Sequence, residues 1–297
     1  ESYLEANGMG DGIALNDSVL TSNIDNVTSL VINALFISDL TGIENFLMLT
    51  SLQCADNQLN SLDVSNNIYL TDLSCYRNNI NVLDVSNNSL LSSLDCAENL
   101  LSSIYVSTNL DLYRLVCHAN QISSLDISNN IHLTILNCSD NQISNLDITQ
   151  NILLEDFICS NNFIANLDVT NNLSLWRIYC NSNQIINLDL SLNDSIIDFI
   201  AYNNYLTSLD IRNGNNINFI AFNTLGNPNL TCINVDDSTY STNNWPNIDP
   251  QSYFSNNCII YGCSDPKAFN YNSLATDTCD DGSCIPYIYG CTDPSAI

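Results

Sequence analysis

Residues 49–69 read LTSLQCADNQLNSLDVSNNIY, and the same unit returns along the chain every 21 residues. Cysteine marks one position of each unit, and Ala201 takes the next place in the register. The cysteines of this series are Cys54, Cys75, Cys96, Cys117, Cys138, Cys159 and Cys180. The shared pattern is L-x-x-L-x-C-x-x-N-x-L-x-x-L-D-V/I-S-x-N-x-x. A fixed period of this kind predicts a repeat protein in which each unit stacks on its neighbours.

The spacing within the unit predicts how one coil is built. Leu52 and Cys54 lie two residues apart, so on a short strand both side chains point into the core. Asn57 follows where the backbone must turn, and its amide can pair with peptide groups of its own coil and the neighbouring coil. The second half has the same design, with Val64 inside and Asn67 at the turn. One half cannot bury its leucines alone, but stacked coils form a continuous core.

These residues resemble the leucine-rich-repeat superfamily, and specifically the nested 21-residue class called IRREKO that occurs in secreted and surface proteins of marine Bacteroidota. The resemblance covers residues 1–260. We predict a β-rich, right-handed leucine-rich-repeat solenoid with short parallel strands, little helix, two caps and a small disulfide-stabilised tail. The expected boundaries are 1–26 for the N-terminal cap, 27–216 for one 22-residue coil and eight 21-residue coils, and 217–260 for the C-terminal cap.

The tail is expected to form separate small modules. GCSDPKAFNY at 262–271 and DDGSC at 280–284 resemble Cys-bearing modules that recur in large surface proteins of the same bacteria. The first module is predicted over 261–288, and 289–297 begins a second, incomplete one. Both ends of the chain look cut, so we expect it to be part of a longer polypeptide.

The repeated cysteines are predicted to be buried, free and unreactive. A stacked column supplies one ligand per coil, whereas tetrahedral zinc needs four convergent ligands. Parallel Cβ vectors in neighbouring coils run side by side, which disfavours disulfides between them. Each thiol therefore acts as a small core hydrophobe.

The remaining cysteines indicate an oxidising compartment. Cys232 and Cys258 flank the C-terminal cap, and we predict a disulfide between them. In the tail, Cys263 is expected to pair with Cys284, although Cys279 is an alternative partner. Structural disulfides of this kind are typical of proteins outside the cell, so the expected location is extracellular or at the cell surface.

The composition excludes several partners. The chain has 5 Lys and Arg against 32 Asp and Glu, for a net charge of −27. Such a body repels phosphate backbones and anionic lipid headgroups, which disfavours nucleic acid and membrane surfaces. No stretch approaches the roughly 20 apolar residues of a membrane span. A protein or a glycan at a cell surface is the expected partner.

An aspartate follows the second-half leucine in nearly every coil. The column comprises Asp63, Asp84, Asp126, Asp147, Asp168, Asp189 and Asp210, with Tyr105 as the exception. These carboxylates either accept hydrogen bonds from nearby Ser, Asn and turn N–H groups or form a calcium-binding edge, since Ca²⁺ prefers several oxygen ligands. Asp277, Asp280 and Asp281 near Gly282 are the better calcium candidate.

The first-half strand is predicted to expose three columns of side chains that vary from coil to coil. Aromatic and arginine side chains are typical anchors of interfaces, and this face carries several of them. The predicted ligand-binding residues are Arg114, His118, Trp176, Arg177, Tyr179 and Tyr202.

We find no catalytic motif, and the two histidines lie on opposite halves of one coil. We therefore predict a non-enzymatic extracellular recognition or adhesion module that binds a protein or glycan on the first-half strand face. The alternatives are a structural spacer or fibre subunit with no specific ligand, and the targeting region of a larger secreted enzyme.

Overall fold

The computed structural model describes residues 2–13 and 18–258. Within these ranges there are three short helices, α1 (Ser2–Ala6), α2 (Thr21–Ile24) and α3 (Ser238–Asn244), and single 3-10 turns at Ile43–Asn45 and Asn216–Asn218. The strands are β1 (Ser29–Val31), β2 (Ser51–Gln53), β3 (Asp72–Ser74), β4 (Ser93–Asp95), β5 (Arg114–Val116), β6 (Ile135–Asn137), β7 (Asp156–Ile158), β8 (Arg177–Tyr179), β9 (Asn187–Asp189), β10 (Asp198–Ile200), β11 (Ser208–Asp210), β12 (Ala221–Asn223), β13 (Cys232–Asn234) and β14 (Tyr253–Ser255).

The first halves of the coils form one parallel sheet of ten strands, in the order β1 to β8, then β10 and β12. Each strand pairs in register with the equivalent residues of the next coil, as Ser51 does with Asp72. The second halves run extended and form a paired sheet only late in the chain, in the order β14, β13, β11 and β9. The predicted β-rich leucine-rich-repeat solenoid with little helix is therefore confirmed.

The core is a stack of identical layers. Leu49, Leu52, Cys54, Leu59 and Val64 of one coil are all fully buried, and their equivalents in later coils are buried as well. Full burial of one aliphatic side chain stabilises the folded state by about 1.5–3 kcal/mol. No single coil encloses this core, so the layers stabilise one another.

Each first turn contains a left-handed residue that is not glycine. The backbone φ lies between 51° and 55° at Asp56, Arg77, Glu98, Ala119, Asp140, Asn161, Ser182 and Asn203. This conformation costs an L-residue roughly 1–2 kcal/mol. It persists because the stacked coils bond its backbone, as in the hydrogen bond from Ala119 N to Ser139 O at 3.0 Å.

The side chain of the asparagine after the left-handed residue connects its own coil to the preceding coil. Asn141 Nδ2 donates to the carbonyls of Cys117 (3.0 Å), Cys138 (3.1 Å) and Ser139 (3.0 Å), and its Oδ1 accepts from Ile122 N (2.9 Å). The same bonds recur at the equivalent asparagines, which we call the first Asn ladder. It comprises Asn57, Asn78, Asn99, Asn120, Asn141, Asn162, Asn183 and Asn204.

A second Asn ladder closes the other turn of each coil. Asn88 Nδ2 donates to Val64 O and Asn67 O of the preceding coil, both at 2.9 Å. Its Oδ1 is buried and accepts no hydrogen bond from any described residue. The second ladder thus makes two side-chain bonds per coil where the first makes three or more.

Aromatic side chains and a disulfide close the C-terminal end. The ring of Trp245 stacks on Phe222 at 4.4 Å between centroids and contacts Phe219 and Phe254 at 5.0 and 5.6 Å. The predicted disulfide between Cys232 and Cys258 is present, with Cα atoms 5.8 Å apart. Within the described ranges, no helix has the length and apolar character needed to cross a bilayer.

We predict that Asn141→Ala lowers the free energy of unfolding by about 2–4 kcal/mol, because Ile122 N–H becomes buried without a partner and two coils lose a shared donor. Urea unfolding followed by circular dichroism measures the change. Asn145→Ala in the same coil is the matched control, since its exposed side chain bonds to no described residue. Equal effects of the two substitutions would contradict the role of the ladder.

Candidate ligand-binding face

The outward side of the ten-stranded sheet, which we call the strand face, carries the varied residues. The expectation of three exposed columns is wrong for the third column. Ala55, Ala97, Ser139, Ser160 and Asn181 are buried, with exposed fractions of 0–7%. The chain turns directly after this column, and the turns of stacked coils cover it. Only the larger side chains there, Tyr76, His118 and Tyr202, remain partly exposed.

Arg177 on β8 is held on three sides. Its Nε donates to Asp156 Oδ1 at 2.7 Å, and Nη2 bonds to the other oxygen of the same carboxylate. The guanidinium carbon lies 4.7 Å from the ring centroid of Trp176 and 5.5 Å from that of Tyr179. The hydrogen bond to Asp156 raises the pKa of Arg177, so the arginine stays charged.

A second carboxylate completes the group. Tyr179 donates its hydroxyl proton to Asp198 Oδ2 at 2.7 Å. Burial and this hydrogen bond raise the pKa of Tyr179, which keeps the phenol protonated as a donor. Asp198 is only 6% exposed, and its Oδ1 has no hydrogen-bond partner among the described residues. We call Asp156, Trp176, Arg177, Tyr179 and Asp198 the Asp198 cluster.

The structure separates the remaining predicted residues from this cluster. Arg114 pairs with Asp95 at 3.0 Å, and His118 Nε2 lies 4.0 Å from Glu98 Oε1. Both belong to the coil of β5, about 14 Å from β8 at the usual strand spacing. Tyr202 is half-buried, and no hydrogen bond or ring contact within the described ranges joins it to the cluster. Trp176, Arg177 and Tyr179 are thus the three predicted residues that the fold brings together.

Asp156 and Asp198 were missed as site residues. The sequence does contain a signal for them, because the 21-residue repeat places Asp156, Arg177 and Asp198 at equivalent positions of neighbouring coils. The burial of Asp198 could not be predicted from the sequence, since acidic residues occur throughout the chain and such residues are mostly exposed.

The aspartates of the second-half column accept hydrogen bonds from residues two positions later in the same coil. Asp126 Oδ1 accepts from Ser128 N at 3.0 Å and from Ser128 Oγ at 2.7 Å, and Asp147 accepts from Thr149 in the same way. These bonds hold the pKa of both carboxyls below the usual range. All of them lie within one coil. No group of three potential metal ligands occurs in the described part of the chain.

Several predicted residues lie outside the described ranges. They are the calcium candidates Asp277, Asp280 and Asp281 and the tail cysteines Cys263, Cys279, Cys284 and Cys291. The modules expected over 261–288 and 289–297 fall there too.

The repeated cysteines are free and buried. Burial raises the pKa of Cys54, Cys138 and Cys180 to about 12 and places the pKa of the other four thiols well above the usual range. A thiolate is the reactive form of cysteine, so these side chains are protected from oxidation and alkylation.

Comparison with solved structures supports the fold. The functional domain of InlJ from Listeria monocytogenes, which includes a cysteine ladder, is 26% identical, with 80% of this chain and 64% of that chain covered and a TM-score of 0.57. The internalin InlF from the same species is 20% identical over 80% of this chain and 71% of that one, with a TM-score of 0.58. The plant peptide hormone receptor RGFR1, in complex with RGF2, is 20% identical over 73% and 41% of the two chains, with a TM-score of 0.59.

This chain therefore spans slightly less than two thirds of the InlJ domain. No protein-family model and no curated protein matches the sequence. The repeats, the sheet and the structural neighbours together define a leucine-rich-repeat solenoid with a cysteine column in its core.

We predict that the native chain resists alkylation by iodoacetamide at Cys54, Cys138 and Cys180 at pH 8, because a pKa near 12 leaves almost no thiolate. Mass spectrometry of peptides after labelling in buffer and in urea measures the reactivity of each thiol in the folded and in the unfolded chain. The pKa of these thiols is higher in the folded than in the unfolded chain. Protein stability is therefore highest below the unfolded thiol pKa of about 8.5 and falls as the pH rises above it. Rapid labelling of these cysteines in the native protein would contradict the buried column.

Proposed function

We propose that this chain is the recognition module of an exported or cell-surface protein and binds a protein or glycan on the strand face, centred on the Asp198 cluster. The observation that carries the proposal is the fixed position of Arg177 between Trp176, Tyr179 and Asp156. The scaffold columns are nearly constant from coil to coil, whereas this group occurs at one place.

Preorganisation favours binding at this group. An arginine and two aromatic rings that are already packed together lose little side-chain entropy when a partner arrives. Tryptophan, tyrosine and arginine are also the residues on which binding energy concentrates in interfaces. The strand face offers neither a deep cleft nor a convergent set of nucleophile and base, so binding suits it better than catalysis.

An extracellular setting fits the chemistry of the chain. The disulfide between Cys232 and Cys258 requires oxidising surroundings to persist. A plant peptide hormone receptor solved in complex with RGF2 is among the structural neighbours. We further propose that the repeats belong to the nested 21-residue class of Bacteroidota surface proteins, and that Cys-bearing modules follow the solenoid in a longer polypeptide.

A printed array of glycans and surface-protein fragments tests the proposal. We expect the wild-type chain to bind a subset of probes, and Arg177→Ala combined with Tyr179→Ala to lose at least about tenfold in affinity for them, the usual effect of removing interface anchors. Circular dichroism checks that the variant is folded.

The matched control is Tyr76→Ala combined with Arg77→Ala. This pair also places an arginine over a tyrosine ring, at 5.8 Å, but lies several coils away. We expect the control variant to bind like wild type. Binding that survives in the Arg177 variant would exclude this site. A wild-type chain that binds no probe would favour the structural spacer, and binding confined to enzyme substrates would favour a targeting role.

A further inference from the structure

The Asp198 cluster carries one more negative charge than positive charge. Asp156 and Asp198 are two carboxylates, and Arg177 is the one guanidinium between them. Arg177 makes its two hydrogen bonds to Asp156 and none to Asp198. Because the group is largely buried, this imbalance is screened less than charges in open solvent.

No arginine in the described ranges is free to correct the imbalance. Every arginine in the described ranges already pairs with a carboxylate: Arg77 with Glu98, Arg114 with Asp95, Arg177 with Asp156 and Arg212 with Asp210. An anionic ligand would therefore meet no free positive charge on the strand face.

Asp198 itself lacks a donor. Its side chain is 94% removed from solvent, since its exposed fraction is 6%. Tyr179 donates to Oδ2, and Oδ1 has no partner within the described part of the chain. A buried carboxylate oxygen without a donor is costly, so a group that supplies a donor gains binding energy there.

The register shows which side of the sheet Asp198 faces. Phe199 points into the core, so Asp198 points outward on the strand face. In the sheet, Asp198 lies between Arg177 of β8 and Ala221 of β12. The methyl group of Ala221 carries no donor, so β12 supplies no side-chain partner for Oδ1 at this position. Oδ1 itself has almost no exposed surface, so a ligand reaches it by displacing the side chains around it.

We propose that the Asp198 cluster is the anchor site for a cationic side chain, lysine or arginine, of a protein partner, which donates to Asp198 Oδ1 and packs against the ring of Tyr179. This inference rests on the proposed function and names the chemistry that the strand face recognises. A charged donor neutralises the excess carboxylate and makes a stronger hydrogen bond than a neutral hydroxyl. The tyrosine ring offers the same cation a favourable π-face.

The charge of the whole chain assists such a partner. A body of net charge −27 attracts cationic surfaces from a distance and accelerates their encounter. Once such a partner is near, the Asp198 cluster is the place where one of its cationic side chains binds.

The test uses the ¹⁵N-labelled chain and the indole N–H signals of its two tryptophans. Trp176 lies in the cluster, and Trp245 is buried in the C-terminal cap, where it serves as an internal reference. We titrate Nα-acetyl-arginine amide, Nα-acetyl-lysine amide and the neutral Nα-acetyl-citrulline amide. The expected result is a saturable shift of the Trp176 signal with either cation, no comparable shift with citrulline, and an unmoved Trp245 signal.

Three variants sharpen the result. Asp198→Asn keeps an acceptor for Tyr179 and should weaken binding of the cations at least about tenfold, the loss of a charged hydrogen bond. Asp72→Asn removes the same charge from the same column six strands away and should leave binding unchanged. Tyr179→Phe keeps the ring but removes the hydroxyl that donates to Asp198 Oδ2, so we expect it to bind the cations more tightly than wild type. Chemical shifts across the spectrum verify folding.

An equal response to citrulline, unchanged binding by Asp198→Asn, or an equal loss in Asp72→Asn would overturn the inference, because each points to packing or diffuse charge alone. The proposed function is judged separately on the array. If array binding depends on Arg177 and Tyr179 but not on Asp198, the binding face stands and the cationic anchor fails. If the cations bind at Asp198 while the array shows no probe bound, the anchor stands and the proposed function fails.

Discussion

A buried asparagine amide at the first turn of every coil holds the solenoid together. The backbone carbonyl of each repeated cysteine accepts hydrogen bonds from two ladder asparagines, one in its own coil and one in the next. Cys138 O, for example, accepts from Asn141 at 3.1 Å and from Asn162 at 3.0 Å. Only asparagine offers two donors and one acceptor on so short a side chain: aspartate lacks the donors, and glutamine is longer. The left-handed residue before it is maintained by the same bonds. Because the ladder fixes one register for all coils, every other position forms a straight column.

The columns divide the molecule into a constant scaffold and a varied face. Leucine, cysteine and asparagine columns fill the core and the turns. Across the strand face, neighbouring coils pair opposite charges, as Arg114 does with Asp95 and Arg177 with Asp156. Carboxylates outnumber the arginines there, and Asp198 keeps an oxygen without a donor. The fixed register keeps this unpaired carboxylate oxygen in place, since no coil can shift to supply a donor without breaking the hydrogen bonds of the first Asn ladder.

Much of the fold could be predicted because period and side-chain alternation leave few choices. The inward direction of Leu52 and Cys54, the turn at Asn57 and the disulfide between Cys232 and Cys258 follow from spacing and were confirmed. The composition of the Asp198 cluster was predicted only in part. Trp176, Arg177 and Tyr179 stand out as rare residue types, but the burial of Asp198 depends on the residues packed around it. The left-handed turn carries no glycine, and its only signal in the sequence is the Asp or Asn that occupies the position in half of the coils.

We propose that the scaffold columns fold the chain and that the Asp198 cluster supplies its specificity. The most direct test replaces the cluster with the residues of the 49–69 coil, as Asp156→Ser, Trp176→Thr, Arg177→Ser, Tyr179→Gln and Asp198→Ser in one chain. Urea unfolding and binding to the wild-type array probes are then measured together. We expect an unfolding free energy within about 2 kcal/mol of wild type, since replacing both partners of each ion pair and hydrogen bond leaves no buried charge unpaired, together with complete loss of binding. A graft that unfolds, or one that folds and still binds, would contradict it.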